Sequence, residues 1–342
     1  MRLAALFTAL LLGTSGAAAA EDKTDIVILI NGDHITGEIS SLSRGLLAFK
    51  TDHAGTIQIE WDKILSLQST HQFTVTTTTG RRLVGSLKRN IDRSIVVATE
   101  EGDQIFTMAE LTEIETLGRS FWAQLQGSVG AGFNYTRSSG VSQFTLNSDT
   151  TYRRTSSVIY LTGATTLTGQ SGDNDYGTVG NAQLSYERYR GRQWFVGGAG
   201  QAETNEGLGL KLRSQGAGVI GARLVNTNRA QFQIAGGLAG NREQGVDVPA
   251  TTNVEGVVGL RMSYYTYDRP KTNLDTTFSY YPGLSDWGRQ RLQLTSSAKR
   301  ELWKDFFISL SLYDSFDSAP PNATALHNDI GITTTISWSY GS

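Results

Sequence analysis

From residue 121 onward, apolar and polar residues alternate with period two over long stretches. Phe121, Ala123, Leu125, Val129, Ala131, Phe133 and Tyr135 share one face, and Gln124, Gln126, Ser128, Asn134 and Thr136 the other. The alternation recurs at Ala230, Phe232, Ile234 and Leu238 against Gln231, Gln233, Asn241 and Glu243. It closes the chain with Ile330, Ile332, Ile336, Trp338 and Tyr340 against Asp329, Thr333, Thr335, Ser337 and Ser339. A period of two is the mark of strands with one apolar face. About twelve such strands are predicted, near 121–136, 141–154, 157–168, 177–190, 193–204, 212–225, 230–242, 252–267, 272–281, 289–302, 306–317 and 328–340. A strand crossing a bilayer at a tilt needs about 9–11 residues, whereas strands of soluble sheets average about 5–6. The lengths and the even number fit an antiparallel outer-membrane barrel.

Turns support that pattern. Alternate connections are short and often basic, as at Arg153-Arg154-Thr155, Arg190-Gly191-Arg192, Asn226-Thr227-Asn228, Asp268-Arg269-Pro270 and Trp303-Lys304-Asp305. Those between them are longer and polar, as in 169–176, 242–251 and 318–327. Such barrels pair short periplasmic turns with long outer loops. The prolines, at 249, 270, 282, 320 and 321, are expected in connections, where no ladder donor is lost. Trp122, Tyr135, Tyr152, Trp194, Tyr264, Tyr280, Trp303, Trp338 and Tyr340 lie towards strand ends, as interfacial girdles would.

Before residue 120 the pattern differs. Asn31-Gly32 through Ile39 aligns with Thr79-Gly80 through Leu87 at an offset of 48, and 59–64 aligns with 106–111 at 47. Two repeated SH3- or Sm-like β units are predicted, over about 25–70 and 71–118. The matched glycines are expected at turns and bulges that need an unhindered backbone.

Composition sharpens the boundary. All 13 tyrosines and five of the six tryptophans lie beyond residue 120. Residues 21–120 hold 10 basic and 15 acidic residues, a net of −5, and residues 121–342 hold 19 and 17, a net of +2. With Arg2 these sum to the overall −2, a balance that argues against a nucleic-acid partner. No cysteine is present, which excludes disulfides, thiolate metal sites, a cysteine nucleophile and an acylated lipoprotein start. Residues 1–20 read as a signal peptide: Arg2, an apolar run from Leu3 to Leu12, then Ala18-Ala19-Ala20 before Glu21. The domains expected are therefore 1–20, 21–118 and 121–342.

Candidate chemistry is sparse. Gly216-Ala217-Gly218-Val219-Ile220-Gly221 matches the dinucleotide fingerprint, but it lies inside an alternating strand rather than opening a helix. His34, His53 and His71 have no ligand spacing, so neither metal nor cofactor is expected. His327 with Asp329 at an outer loop is the one arrangement that would suit a surface hydrolase. Asp149, Arg153, Glu187, Arg213, Arg223, Glu255, Arg261, Arg291, Lys299 and Glu301 fall on the inner phase of the strands as lumen-lining candidates. Arg81, Arg82, Lys88 and Arg89 form a basic stretch that would contact anions of the envelope, such as lipid head groups or peptidoglycan.

The stretch from Tyr280-Tyr281-Pro282 through Leu312-Tyr313-Asp314-Ser315-Phe316-Asp317-Ser318-Ala319-Pro320-Pro321 to Asp329 and the final Ile336-Ser337-Trp338-Ser339-Tyr340 carries a resemblance. Over residues 121–342 the chain resembles the salt-induced outer membrane protein family, the domain of unknown function 481. The resemblance implies an outer-membrane β-barrel with no assigned activity and no catalytic residues to transfer. One departure is that Gly341 and Ser342 follow the aromatic Tyr340, on which such barrels commonly end. The expectation is an all-β protein: a transmembrane antiparallel barrel behind a small periplasmic β domain, with a passive role as a narrow channel or structural barrel. Its expected partners are outer-membrane lipids and the barrel-insertion machinery. A membrane-embedded hydrolase and a secreted soluble all-β binding protein are the alternatives.

Overall fold

The computed structural model describes residues 24–117 and 125–338, apart from 91–92, 137, 139, 155, 171–175, 206–208, 246–247, 304–305 and 321–325. The side chains of 126, 153, 170 and 176 are likewise not described. The signal-peptide reading, Trp122, the Arg153 side chain, Pro321 and the last four residues thus lie outside the described residues.

The repeat becomes nine strands. They are β1 (Asp25–Leu29), β2 (His34–Ser43), β3 (Leu46–Lys50), β4 (Thr56–Glu60), β5 (Ile64–Thr77), β6 (Arg82–Arg89), β7 (Ser94–Thr99), β8 (Gly102–Thr107) and β9 (Leu111–Thr116). Single 3-10 turns at Trp61–Lys63 and Met108–Glu110 precede β5 and β9, again 47 apart. The Glu110 carboxylate accepts from the Thr107 amide at 2.7 Å and fixes the second turn, and that bond holds its pKa below the usual carboxylate value.

β5 belongs to both units. Its first half ends unit one and pairs with β1 (Ile26↔Gln68), while its second half begins unit two and pairs with β9 (Val75↔Ile114). The units are also cross-linked: β9 pairs with β2 (Ser41↔Glu115), and β5 with β6 (Ser69↔Leu87). They share one core, in which Val27/Val75, Ile39/Leu87, Leu47/Ile95, Phe49/Val97, Trp61/Met108, Ile64/Leu111 and Leu67/Ile114 are repeat equivalents. The Trp61 indole N–H donates to the Met108 carbonyl at 2.6 Å, tying the two turns together. At Gly37 and Gly85, also equivalents, a Cβ would overlap the carbonyl oxygens of Lys50 and Ala98, themselves 48 apart.

The second body is a twelve-stranded antiparallel sheet in sequence order. Its strands are β10 (Leu125–Thr136), β11 (Val141–Arg154), β12 (Ser157–Gln170), β13 (Tyr176–Arg190), β14 (Trp194–Asn205), β15 (Leu210–Asn226), β16 (Ala230–Gly245), β17 (Thr251–Thr266), β18 (Thr272–Pro282), β19 (Gln290–Trp303), β20 (Phe306–Asp317) and β21 (Asn328–Trp338). Every expected strand is present, at nearly its expected bounds. Pro249, Pro270 and Pro320 lie in connections as expected, whereas Pro282 is the last residue of β18. The dinucleotide-like glycines lie inside β15, where Gly221 leaves room for the buried Phe195 ring instead of opening a helix.

The sheet is rolled. Arg291 on β19 reaches Gln215 on β15 at 2.9 Å, although four strand spacings in a flat sheet would part them by about 19 Å. Each strand pairs with the next; among the described residues no ladder joins β10 to β21. Burial is inverted relative to a soluble sheet. Outward residues such as Ile220, Leu238 and Ile332 are 61%, 61% and 66% exposed, while the inward Glu243, Glu255 and Arg291 are 0%, 1% and 2% exposed. No helix is long and apolar enough to cross a membrane, which says nothing about crossing by strands.

Because β5 completes both units, residues 21–118 expressed alone should melt in one cooperative transition. Cutting after Thr70 should leave two largely unfolded pieces, since each loses strands that pair across the cut. Dispersed amide resonances and a cooperative melt from either piece would contradict this interlocked architecture.

Candidate functional site: the interior of the rolled sheet

Short connections gather at one end of the rolled sheet and longer ones at the other. At the long-loop end, residues near the tips of β14, β15, β16 and β20 converge with the loop residue Arg289. Arg213 donates to Glu243 at 2.8 Å, to Glu203 at 3.2 Å and to Asp317 at 3.4 Å. Arg289 donates to Glu243 at 2.9 Å and to Asp317 at 2.6 and 3.0 Å. One step inward, Arg291 forks onto Glu255 at 2.8 and 2.5 Å, and Asn241 donates to the same carboxylate at 2.7 Å. The Arg291 guanidinium also lies over the Tyr281 ring, 4.7 Å from its centre.

Three arginines thus face four carboxylates with almost no solvent. Isolated, each of these charges would be costly to bury; paired and hydrogen-bonded, they hold distant strands together. The cluster reaches across the interior at this end.

Below it lies a cavity of about 650 Å³, walled by β13 to β21. Asn181, Gln183, Ser185, Gln201, Gln233 and Thr277 line it, together with Glu187, Arg261 and Asp329. Apolar residues such as Phe195, Val219 and Leu294 line it as well, so its surface is mixed. Glu187 Oε2 has no hydrogen-bond partner among the described residues.

The N-terminal domain closes the short-turn end, against the turns β13–β14, β15–β16 and β17–β18. Arg44 meets Asn273 at 2.7 Å and Asp275 at 3.0 Å, and Lys63 meets Asp268 at 2.9 Å. Glu113 pairs with the inward-facing Arg223 at 3.3 Å. The Asn226 amide donates to Thr112 Oγ1 at 3.0 Å, and the Asn228 amide to the Leu111 carbonyl at 2.7 Å. The Tyr189 ring meets both Arg82 of the domain, 3.5 Å from its centre, and Arg223 of the sheet, 4.3 Å away. Burial lowers the Arg82 pKa. The Lys63–Asp268 hydrogen bond acts most strongly on both partners, raising the lysine and lowering the aspartate.

A comparison with family-wide sequence patterns matches residues 127–340 to the family described as protein of unknown function, DUF481. The chain belongs to this family. Comparison with curated proteins and with solved structures gives no match. The family stretch covers the whole rolled sheet save its first residues and leaves the N-terminal domain outside.

Within this DUF481 sheet the ten lumen candidates divide. Arg213, Glu255 and Arg291 belong to the buried cluster, Glu187 and Arg261 line the cavity, and Arg223 meets the N-terminal domain. Glu301 is buried at the short-turn end, accepting from the Lys271 amide at 3.1 Å. Lys299 lies over the Phe307 ring, Asp149 is exposed, and the Arg153 side chain lies outside the described residues. Glu203, Glu243, Arg289 and Asp317 belong to the cluster but were not among the candidates.

The basic stretch is not one patch. Arg82 is committed to Tyr189 and Lys88 to Asp103 at 2.9 Å, and six residues of extended β6 separate them by about 20 Å. His327 Nδ1 lies 3.0 Å from the Asp317 carbonyl, and Asp329 lies 3.4 Å from the Tyr313 hydroxyl, so the suspected pair does not form a dyad. No cluster of three or more potential metal ligands is present among the described residues.

Removing one partner of a buried ion pair typically costs about 3–5 kcal/mol, whereas replacing both by apolar groups can be nearly neutral. Glu255→Leu and Arg291→Met should therefore each lower the detergent-phase melting temperature sharply, and the double variant should recover much of it. Additive losses in that double-mutant cycle would contradict the pairing.

Proposed function

We propose that this protein is an outer-membrane β-barrel with a passive envelope role, its interior a narrow and normally constricted path for small polar solutes. The observation that carries the reading is the inverted burial. Rows of apolar side chains stand exposed along the outer wall, while arginines and carboxylates are buried inside. A secreted soluble protein would leave far more contiguous apolar surface in water than monomers tolerate. A bilayer converts that wall into the favourable side. Closure of β10 onto β21 in the membrane is part of this proposal.

Short turns of such barrels face the periplasm. The N-terminal domain, which sits on those turns, is accordingly periplasmic. Outer-membrane lipids are the direct partners of the outer wall. Twelve strands lie between small barrels filled by side chains and porins of sixteen or more with open channels. The ion cluster across the outer end supports a narrow path. The hydrolase reading finds less support, because His327 and Asp329 hold different partners.

Membrane extract in cold detergent should migrate differently on electrophoresis before and after boiling, and recovery in the soluble periplasmic fraction would contradict the barrel. In planar bilayers the purified protein should be silent or show small steps. Truncating the constriction with Arg213→Ser and Glu243→Ser together should enlarge those steps. Porin-sized conductance from the unaltered protein would overturn the constriction, and a double variant that stays silent would favour a purely structural barrel.

A further inference from the structure

We propose that the N-terminal domain is a separable cap, which leaves and re-docks on the short-turn mouth as a rigid body and so controls access to the interior cavity. This rests on the reading of the rolled sheet as a membrane barrel. Three independent features of the molecule carry it.

The domain is complete without the sheet. Every member of its hydrophobic cluster lies between Val27 and Ile114, so the domain has a core of its own, of which Trp61 and Met108 border the joint. The two closures differ in kind here. The ion cluster at the other end joins strands of a single sheet and cannot part without breaking that sheet's curvature. The cap joins two folded bodies.

The junction is buried at Asn226 and Thr112 and open elsewhere. Between the paired 3-10 turns and the sheet lies a solvent-open cleft of about 360 Å³, bordered by Trp61, Met108, Tyr265 and Tyr267. Several bonds around it are polar and half-exposed: the side chains of Arg44 and Asp275 are 36% and 38% exposed, and those of Lys63 and Asp268 are 43% and 51%. Such pairs give orientation more than strength.

The surfaces are nevertheless shaped for each other. Arg44 and Lys63 of the cap meet Asp275 and Asp268, and Glu113 meets Arg223, so the charges are complementary in both directions. Gly45 and Gly80 have φ of +72° and +75°, and a Cβ on either would run into a sheet carbonyl, Asn228 and Arg192 respectively. At Gly32, the repeat equivalent of Gly80, a Cβ would meet nothing within 4 Å. The turn that faces the sheet is constrained by it, and its twin is not. A specific joint held partly by half-exposed polar pairs is what a reversible closure needs.

The chain has no cysteine, so Ser185→Cys on the cavity wall would supply its only thiol. The probe is a charged, membrane-impermeant maleimide added to one face of proteoliposomes holding the full chain. Arg44→Asp with Lys63→Asp sets like charges against Asp275 and Asp268 and should speed labelling from the short-turn face by about tenfold or more. Adding Asp275→Arg and Asp268→Lys restores opposite charges and should return the original rate. Equal rates in all three would overturn the cap. So would a charge-swapped protein that labels as fast as the repelled one, since that points to a damaged domain rather than a released one.

Labelling that depends on the vesicle face but not on these variants rejects the cap alone. Labelling indifferent to the face rejects the barrel, and the cap with it.

Discussion

Charge buried inside a rolled sheet has to be neutralised inside it, and the rest of the molecule follows from that constraint. Arg213, Arg289 and Arg291 are each under a tenth exposed, and burying these charges is costly unless carboxylates meet them. Those carboxylates stand on strands that are far apart in a flat sheet. Satisfying them requires curvature, and curvature turns the alternating apolar residues outward. The polar interior and the apolar exterior are two results of one geometric choice.

The N-terminal domain obeys a different logic. Its two units are related by a repeat that matches core residues, 3-10 turns and bulge glycines almost position for position. Sharing β5 and exchanging pairings makes one body of them. A symmetric body placed on an asymmetric ring of turns must use its equivalents unequally. Gly80 packs against Arg192 while Gly32 faces open space, and Arg82 stacks on Tyr189. The repeat explains how the domain folds; the departures from it explain where it sits.

Much of this was legible in the sequence. Period-two alternation and glycine- or asparagine-marked turns located twelve strands nearly to the residue, because each signal is local. The repeat was visible for the same reason. The ion cluster was only half legible. Strand phase picked out Arg213, Glu255 and Arg291, yet Arg289 lies in a loop and has no phase. That Asp317 meets Arg213 depends on the rolling of five intervening strand spacings, which no local pattern encodes. The basic stretch misled in the opposite sense: residues close in sequence were read as one patch, and an extended strand carried them apart. The docking face has no sequence signature at all, since its partners are more than a hundred residues away.

The central claim is that the outer wall meets lipid while the inner wall does not. Single cysteines placed along β16 and β17 and carrying a nitroxide spin label would test it in reconstituted bilayers. Sites Ile234, Leu238, Val254 and Val258 should be accessible to dissolved oxygen and shielded from a water-soluble nickel complex. Gln233, Gly237, Val257 and Gly259, on the opposite phase, should not share that lipid signature. Alternation with a period of two is the predicted result. Uniform access of the nickel complex to both sets would contradict a membrane-spanning barrel.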